Sequence, residues 1–433
     1  MRISTAADGT RLVTLPLFAV IALVVIAIIL GILLWSVKRR RQPRLQLESE
    51  GGLRDLLHSI VGLTHGTLVG GNDVRILQNG SFFDELLDDI SQARKSVLFE
   101  TFLAKEGEVT RRVAGALSRK AGEGVPVRLM LDAKGGSRFG KQELKRMREA
   151  GVAIATYHPL RFGNLGTLNN RDHRKIVVID GCIGYVGGHC LVDDWLGDAE
   201  DKKHFRDISI RIEGPVVGQL AAAFSENWIE ESGDVIAGEE FFPKIEKAGK
   251  AEAHTVYTSP QGSPSAVKLL HYLAIHAARE RITIQNPYFL PDPDARKALV
   301  DAVQRGVEVR IMLPSTDASD MPIVQHASHH RFGMLLKGGV KIYEYEKTLL
   351  HQKVFTVDGC WTAVGSTNFD DRSFELNDEI SVGILDETIA KEMEEVFEQD
   401  LEHAREIKLK EWKRRPLWHK LTDATLFLFN EQL

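Results

Sequence analysis

His351-Gln352-Lys353-Val354-Phe355-Thr356-Val357-Asp358-Gly359-Cys360-Trp361-Thr362-Ala363-Val364-Gly365-Ser366-Thr367-Asn368 sets an apolar run between two polar clusters and breaks it near the middle with Asp-Gly. Asp-Gly flanked by β-branched and aromatic residues is a strong hairpin signal. A turn centred on Asp358-Gly359 sets His351 opposite Ser366 and Lys353 opposite Val364, with Asn368 just past the end. His351 and Lys353 are two apart on a strand, so both side chains leave one face. An imidazole, an ammonium, a Gly-Ser backbone and an Asn amide then converge, a set that suits a phosphate oxyanion.

The pattern occurs twice. His173-Arg174-Lys175-Ile176-Val177-Val178-Ile179-Asp180-Gly181 is followed by Gly187-Gly188-His189-Cys190, and the same arithmetic puts His173 opposite Gly188. One H-x-K is uninformative; two copies of H-x-K-x4-D-G with a glycine at the same offset are not. The chain here resembles the phospholipase D superfamily, whose signature is H-x-K-x4-D-x6-G-S-x-N in duplicate. The second copy matches throughout; the first has Gly188 for Ser and Cys190 for Asn. Tyr157-His-Pro-Leu160, Asn286-Pro-Tyr-Phe-Leu-Pro-Asp292 and Arg372-Ser-Phe-Glu-Leu-Asn-Asp-Glu379 are similar to bacterial cardiolipin synthases within that superfamily. The resemblance spans roughly residues 73–420.

Around the motifs the chain alternates strand and helix patterns in the same order twice. Gly124-Val-Pro-Val-Arg-Leu-Met-Leu131 answers Gly306-Val-Glu-Val-Arg-Ile-Met-Leu313, an internal duplication. Alternation argues for an α/β fold with a mostly parallel or mixed sheet covered on both faces. The resemblance implies two pseudo-symmetric α-β-α sandwich halves with the active site at their interface. The expected division is an N-terminal tail (1–14), a transmembrane helix (15–37), a basic and polar linker (38–72), a first half (73–235), a linker (236–252), a second half (253–402) and a basic amphipathic tail (403–433).

At 433 residues, 43% hydrophobic and 27% charged, the chain is globular in composition with room for one membrane element. Residues 15–37 carry no charge and exceed the ~20 needed to cross a bilayer, too long for a signal-peptide core. Lys38-Arg-Arg-Arg41 follows, whereas only Arg2 and Arg11 precede. The positive-inside rule predicts a single pass of the inner membrane with the catalytic region cytoplasmic. The tail interleaves Trp412 and Trp418 with Lys and Arg, as at an interface with anionic lipid. A net charge of −5 gives no reason to expect nucleic acid. Cys182, Cys190 and Cys360 make neither a disulfide framework nor a zinc site. His326, His329 and His330 share a helical stretch with no carboxylate or cysteine among them, which reads as a substrate-facing helix rather than a metal site.

Two histidines at one phosphodiester solve two problems. A neutral imidazole attacks phosphorus, and a protonated one donates to the leaving oxygen, so the two are expected to start in opposite protonation states. Lys175 and Lys353 supply fixed charge to the non-bridging oxygens, aided by Gly187, Gly188, Gly365, Ser366 and Asn368. No metal or cofactor is needed. The resemblance makes His173 the nucleophile and His351 the acid/base, lists Asp180 and Asp358 with the catalytic set (though Asp-Gly turns favour Asp on their own account), and assigns Asp207 and Glu379 to orient the imidazoles. At Cys190, His189 or a backbone N–H is the expected substitute donor. The function implied is a cardiolipin synthase-type phosphatidyltransferase acting on phosphatidylglycerol and a second phospholipid. The motifs alone leave open hydrolysis to phosphatidic acid, a nucleic-acid phosphodiesterase and an inactive membrane scaffold.

Overall fold

The computed structural model describes residues 2–5, 11–14, 16–38, 45, 47, 51–159, 170–258 and 265–416, with side chains from 16 onward except over 29–38. It divides into two units, Met1–Gln46 and Leu47–Leu433.

In the first unit, Arg2–Thr5 pairs antiparallel with Arg11–Thr14, and a 22-residue helix spans Leu17–Lys38. Its described side chains over 17–28 are nearly all exposed apolar groups, among them Leu17, Phe18, Ile21 and Leu23. Among the described residues no helix is long and apolar enough to cross a membrane.

The second unit is built on one sheet of fifteen strands among the described residues. Apart from the edge strand Ala404–Glu406, its order is palindromic about the join between the repeats. From one edge inward run Ala153–Tyr157, Val127–Asp132, Val97–Thr101, Ile176–Ile179, Ile183–Gly187, Ile208–Glu213 and Val69–Gln78; from the other run Ala404–Glu406, Lys341–Tyr345, Glu308–Pro314, Arg281–Gln285, Val354–Val357, Trp361–Gly365, Glu379–Leu385 and Ala251–Thr258. The strands after crossover helices are parallel, and the central ones antiparallel, so the sheet is mixed. The two repeats meet where Ala251–Thr258 pairs antiparallel with Val69–Gln78. Alternation along Val97–Thr101 sends Leu98 to one face, against Phe224 and Trp228 of helix Val217–Ser232, and Val97 and Phe99 to the other, against Val113 and Leu117 of helix Glu108–Gly122. The first-named core is shared: it joins Leu98 and Ile208 to Val364, Ile380 and Val382 of the second repeat.

The expected linker over 38–72 ends earlier than its polar composition indicated. Helix Leu53–Leu63 buries Leu53, Leu57, Ile60 and Val61 and packs on helix Ala266–Ala277. The linker at 236–252 also lies on the fold, with Ile236 and Phe241 buried and Arg128 over the Phe241 ring. At the C-terminus, Ala404–Glu406 pairs with Lys341–Tyr345, and Trp412 packs edge-on against His329. Residues 403–415 are therefore part of the folded unit; the rest of the predicted basic tail, 417–433, lies outside the described residues.

His254, on Ala251–Thr258, is fully buried, and neither ring nitrogen is hydrogen-bonded among the described residues. It faces Gly383 across the ladder, where any side chain would strike the ring. Burial pushes it down to about 4. The folded state thus holds it neutral, so its contribution is intact above pH ~6.5 and is lost as pH falls toward 4, by on the order of 3 kcal/mol. We expect His254→Leu to flatten the fall in urea midpoint between pH 6.5 and 4.

Candidate active site

Each motif is a hairpin whose polar end carries the histidine. Asp180 and Gly181, and likewise Asp358 and Gly359, take left-handed φ values of 53°, 70°, 52° and 55°. A third residue, Cys182 or Cys360, joins each connection and bonds back to Ile179 or Val357. The extra residue shifts the expected register by one. Val354 faces Val364, so Lys353 stands opposite Gly365 rather than Val364, and His351 opposite Thr367 rather than Ser366. In the first copy, the same shift sets His173 opposite His189 rather than Gly188.

The histidines are fixed by residues of the opposite repeat. His173 Nδ1 lies 2.9 Å from both oxygens of Glu379, and His351 Nδ1 lies 2.8 Å from Asp207 Oδ2. Their backbones cross as well: His173 N–H donates to Asp378 O, and His351 N–H to Arg206 O. Sequence reasoning named both carboxylates but not this exchange of partners. With Nδ1 engaged by a carboxylate, Nε2 is the nitrogen left for chemistry on each ring, and at His351 it lies beside Lys353 Nζ.

Lys175 Nζ donates to His173 O (2.7 Å), and Lys353 Nζ to His351 O (2.6 Å), with Lys353 also 3.0 Å from both ring nitrogens of His351. Lys175 and Lys353 both act on His173 and on His351, and Lys175 acts on Lys353, so the four groups lie within electrostatic reach of one another. Burial, reinforced by the lysines against Glu379, pushes His173 down to about 4. Burial and Lys353 push His351 down to about 3. Lys353 itself is pushed down to about 7 by burial and by Lys175. Despite their burial, Asp207 and Glu379 are held below the usual carboxylate range by the histidines and lysines. Burial thus favours the neutral form at both imidazoles, where opposite protonation states were expected.

Several predicted members stand elsewhere. Asp180 accepts from the backbone N–H groups of Arg94, Lys95 and Ser96, and Asp358 from those of Arg279, Glu280 and Arg281. Each staples the turn end of its hairpin to the start of the neighbouring strand, at the far end from the histidine. They are structural, and Asp180→Ala or Asp358→Ala is expected to cost about 2–3 kcal/mol in urea unfolding while leaving kcat within about threefold.

Gly187 and Gly188 admit close backbone approach: a Cβ would run into Ser209 at the first and into the Asp207 carboxylate at the second. The Ser366 hydroxyl, expected on phosphate, donates to Glu379 instead. Asn368 is buried, its Oδ1 without a partner among the described residues. His189 cannot replace the missing Asn, because its nitrogens bond Ser209 Oγ (2.7 Å) and Asn79 O (2.9 Å) and its ring stacks on Phe82. Cys190 is buried within reach of both lysine charges, which oppose the upward push of burial on its thiol. His329 does find a carboxylate, Glu344, at 2.8 Å, so the histidine-bearing helix faces its own sheet there.

Among the described residues, the His/carboxylate group close enough to share a metal ion is His158, Glu230 and Glu231, apart from the paired histidines. Its contacts are those of an ion pair: His158 Nε2 is 3.1 Å from Glu230, and His158 N–H donates to Glu231.

Two aromatic rings escaped sequence reasoning, Phe102 edge-on to His173 and Trp195 edge-on to His351, at 4.9 and 5.0 Å. Neither has a local signal; each adjoins the site only through the fold. Behind His173, fully buried Arg174 bonds Ala223 O, Thr258 O and Glu226 and faces the carboxylates of Glu100, Asp172 and Asp378.

A family model described as "Cardiolipin synthase, PLD-like domain" matches residues 86–228 and 273–401, one segment in each repeat. Cardiolipin synthase 2 of Bacillus anthracis is 33% identical over 365 residues, covering 83% of this chain and 71% of that protein. The major cardiolipin synthase ClsA of Bacillus subtilis (strain 168) is 33% identical over 375 residues, covering 86% and 77%. In fold, the chain is like the crystal structure of phosphatidylserine synthase from Haemophilus influenzae Rd KW20, with a TM-score of 0.67 over 86% of this chain and 96% of that one at 14% identity. Two repeats answering one family model, each lending a carboxylate to the other's histidine, make this chain a member of the cardiolipin synthase family of phospholipase D-like proteins.

Proposed function

We propose that the chain is a phosphatidyltransferase that makes cardiolipin, moving a phosphatidyl group through His173 onto a headgroup hydroxyl of phosphatidylglycerol. The observation that carries this reading is the pair of crossed His–carboxylate contacts, with a lysine donating to each histidine's carbonyl. An anionic phosphodiester entering between the lysines raises the proton affinity of the facing imidazoles, and one proton is taken up at His351. His173 Nε2 then bonds to phosphorus as the P–O bond to the departing headgroup breaks, and His351 gives its proton to that oxygen. Neutral His351 next takes the proton of the incoming hydroxyl, whose oxygen displaces His173. Lys175 and Lys353 balance the charge spreading over the non-bridging oxygens.

Residues 15–37 serve as a single inner-membrane anchor, with the Lys38–Arg41 cluster and the catalytic repeats on the cytoplasmic side. The basic, Trp-bearing C-terminus adds contact with anionic lipid. The anchor keeps two lipid substrates concentrated at the site, where exclusion of water favours an alcohol as the second attacker. The repeats are taken as residues 73–235 and 253–402, forming α-β-α halves around the shared site.

Vesicles of headgroup-labelled phosphatidylglycerol test the reading. Cardiolipin and free glycerol in equal amounts are expected; phosphatidic acid without cardiolipin overturns it in favour of hydrolysis.

A further inference from the structure

We propose that Trp195 is a positioning residue, its indole N–H holding Asp207 against His351 as the Ser366 hydroxyl holds Glu379 against His173. The inference rests on the proposed reaction and names the group that sets one of its two histidines. Positions 188 and 366 are equivalent. Each lies fifteen residues after its motif histidine, and each N–H bonds the carbonyl next after the orienting acid, Ile208 or Ile380. At 366 a hydroxyl reaches Glu379. At 188 there is only glycine, and the shorter Asp207 draws its carboxylate back into the space a serine side chain would fill. The Asp207-for-Glu and Gly188-for-Ser changes are thus one coupled departure, and they remove a donor.

Trp195 restores it from elsewhere in the chain. Its Nε1 donates to Asp207 Oδ2 at 2.7 Å, the oxygen that His351 Nδ1 also contacts, while Asp207 Oδ1 takes the N–H of Ile208 at 2.8 Å. The indole is buried and wedged edge-on between Phe205 and His351, each at 5.0 Å. An indole nitrogen only donates and does not titrate near neutrality. It therefore fixes Asp207 as an acceptor, which keeps the proton on His351 Nδ1 and leaves Nε2, 3.0 Å from Lys353 Nζ, as the nitrogen that exchanges a proton with substrate. Without it, the buried Asp207 oxygen has one donor fewer and draws harder on the His351 proton.

Trp195→Phe keeps an aromatic ring at the position and deletes the N–H together with the pyrrole part of the indole, so a packing control is run beside it. In full-length enzyme on phosphatidylglycerol vesicles, kcat is expected to fall about 10–100-fold, as for other outer-shell partners, with KM within about twofold. The basic limb of the pH–kcat profile moves up by about half a unit or more, and so does the His351 titration followed by NMR. Phe205→Leu, which loosens the same packing but spares the N–H, is expected to move neither. An unmoved His351 titration in Trp195→Phe overturns the proposal, as does an equal shift in Phe205→Leu. The NMR titration needs no turnover, so it is read separately from the proposed reaction, which fails instead if His351→Ala retains cardiolipin synthesis.

Discussion

His173→Ala and His351→Ala each lower cardiolipin formation by at least about 10⁴-fold, and the double variant is no slower than the worse single one. Groups that act as one unit are grossly non-additive, and both lysine charges bear on both of these histidines. Labelled phosphatidylglycerol gives the rates, and thermal melts establish that the variants fold. The two singles separate on a phosphodiester with an aryl leaving group, which departs without protonation. That substrate restores release of the leaving group in His351→Ala but not in His173→Ala. The opposite pattern exchanges the roles of the two histidines.

Arg174→Met is expected to lose about 3–5 kcal/mol at pH 8, the usual result of stranding buried charge by removing one partner. Arg174 is wholly buried, and the carboxylates it faces carry oxygens without hydrogen-bond partners among the described residues, on Glu100, Asp172 and Asp378. Burial pushes Glu100 up to about 7 and Asp378 up to about 6, with Arg174 opposing. These acids bind protons more tightly folded than unfolded, so the penalty for ionising them is full above their folded pKa and fades as pH falls through it. The gap between variant and wild type should therefore narrow from pH 8 to pH 5.5, read as urea midpoints. Because His254 is common to both proteins, its acid sensitivity cancels. A gap that stays constant would mean the guanidinium matters for packing alone.

What could be read in advance was whatever is written locally. H-x-K-x4-D-G lies on contiguous residues, so both hairpins and the duplicated strand–helix order were legible, whereas the docking of helix Leu53–Leu63 on Ala266–Ala277, inside the expected linker, was not. The register was misread by one because Cys182 and Cys360 look like strand residues and act as turn residues. Asp180 and Asp358 were grouped with the catalytic set because a motif records recurrence rather than place; their partners at 94–96 and 279–281 are about eighty residues away in the chain. Glu379 and Asp207 were found by family pattern, but their crossing over belongs to the packing of the repeats. Trp195 had no signal at all, since its role arises only where Gly188 leaves Asp207 short of a donor.

The exchange of carboxylates makes the catalytic unit indivisible. A polypeptide severed in the segment over 236–252 would yield two fragments, each with an imidazole, an ammonium and an acid that fits only the other fragment's base. Neither piece would be a slower version of the whole; each would be inert alone, with activity returning only on reassembly. Duplication in this chain has not produced a spare copy, so neither repeat is free to drift while its twin carries on the work.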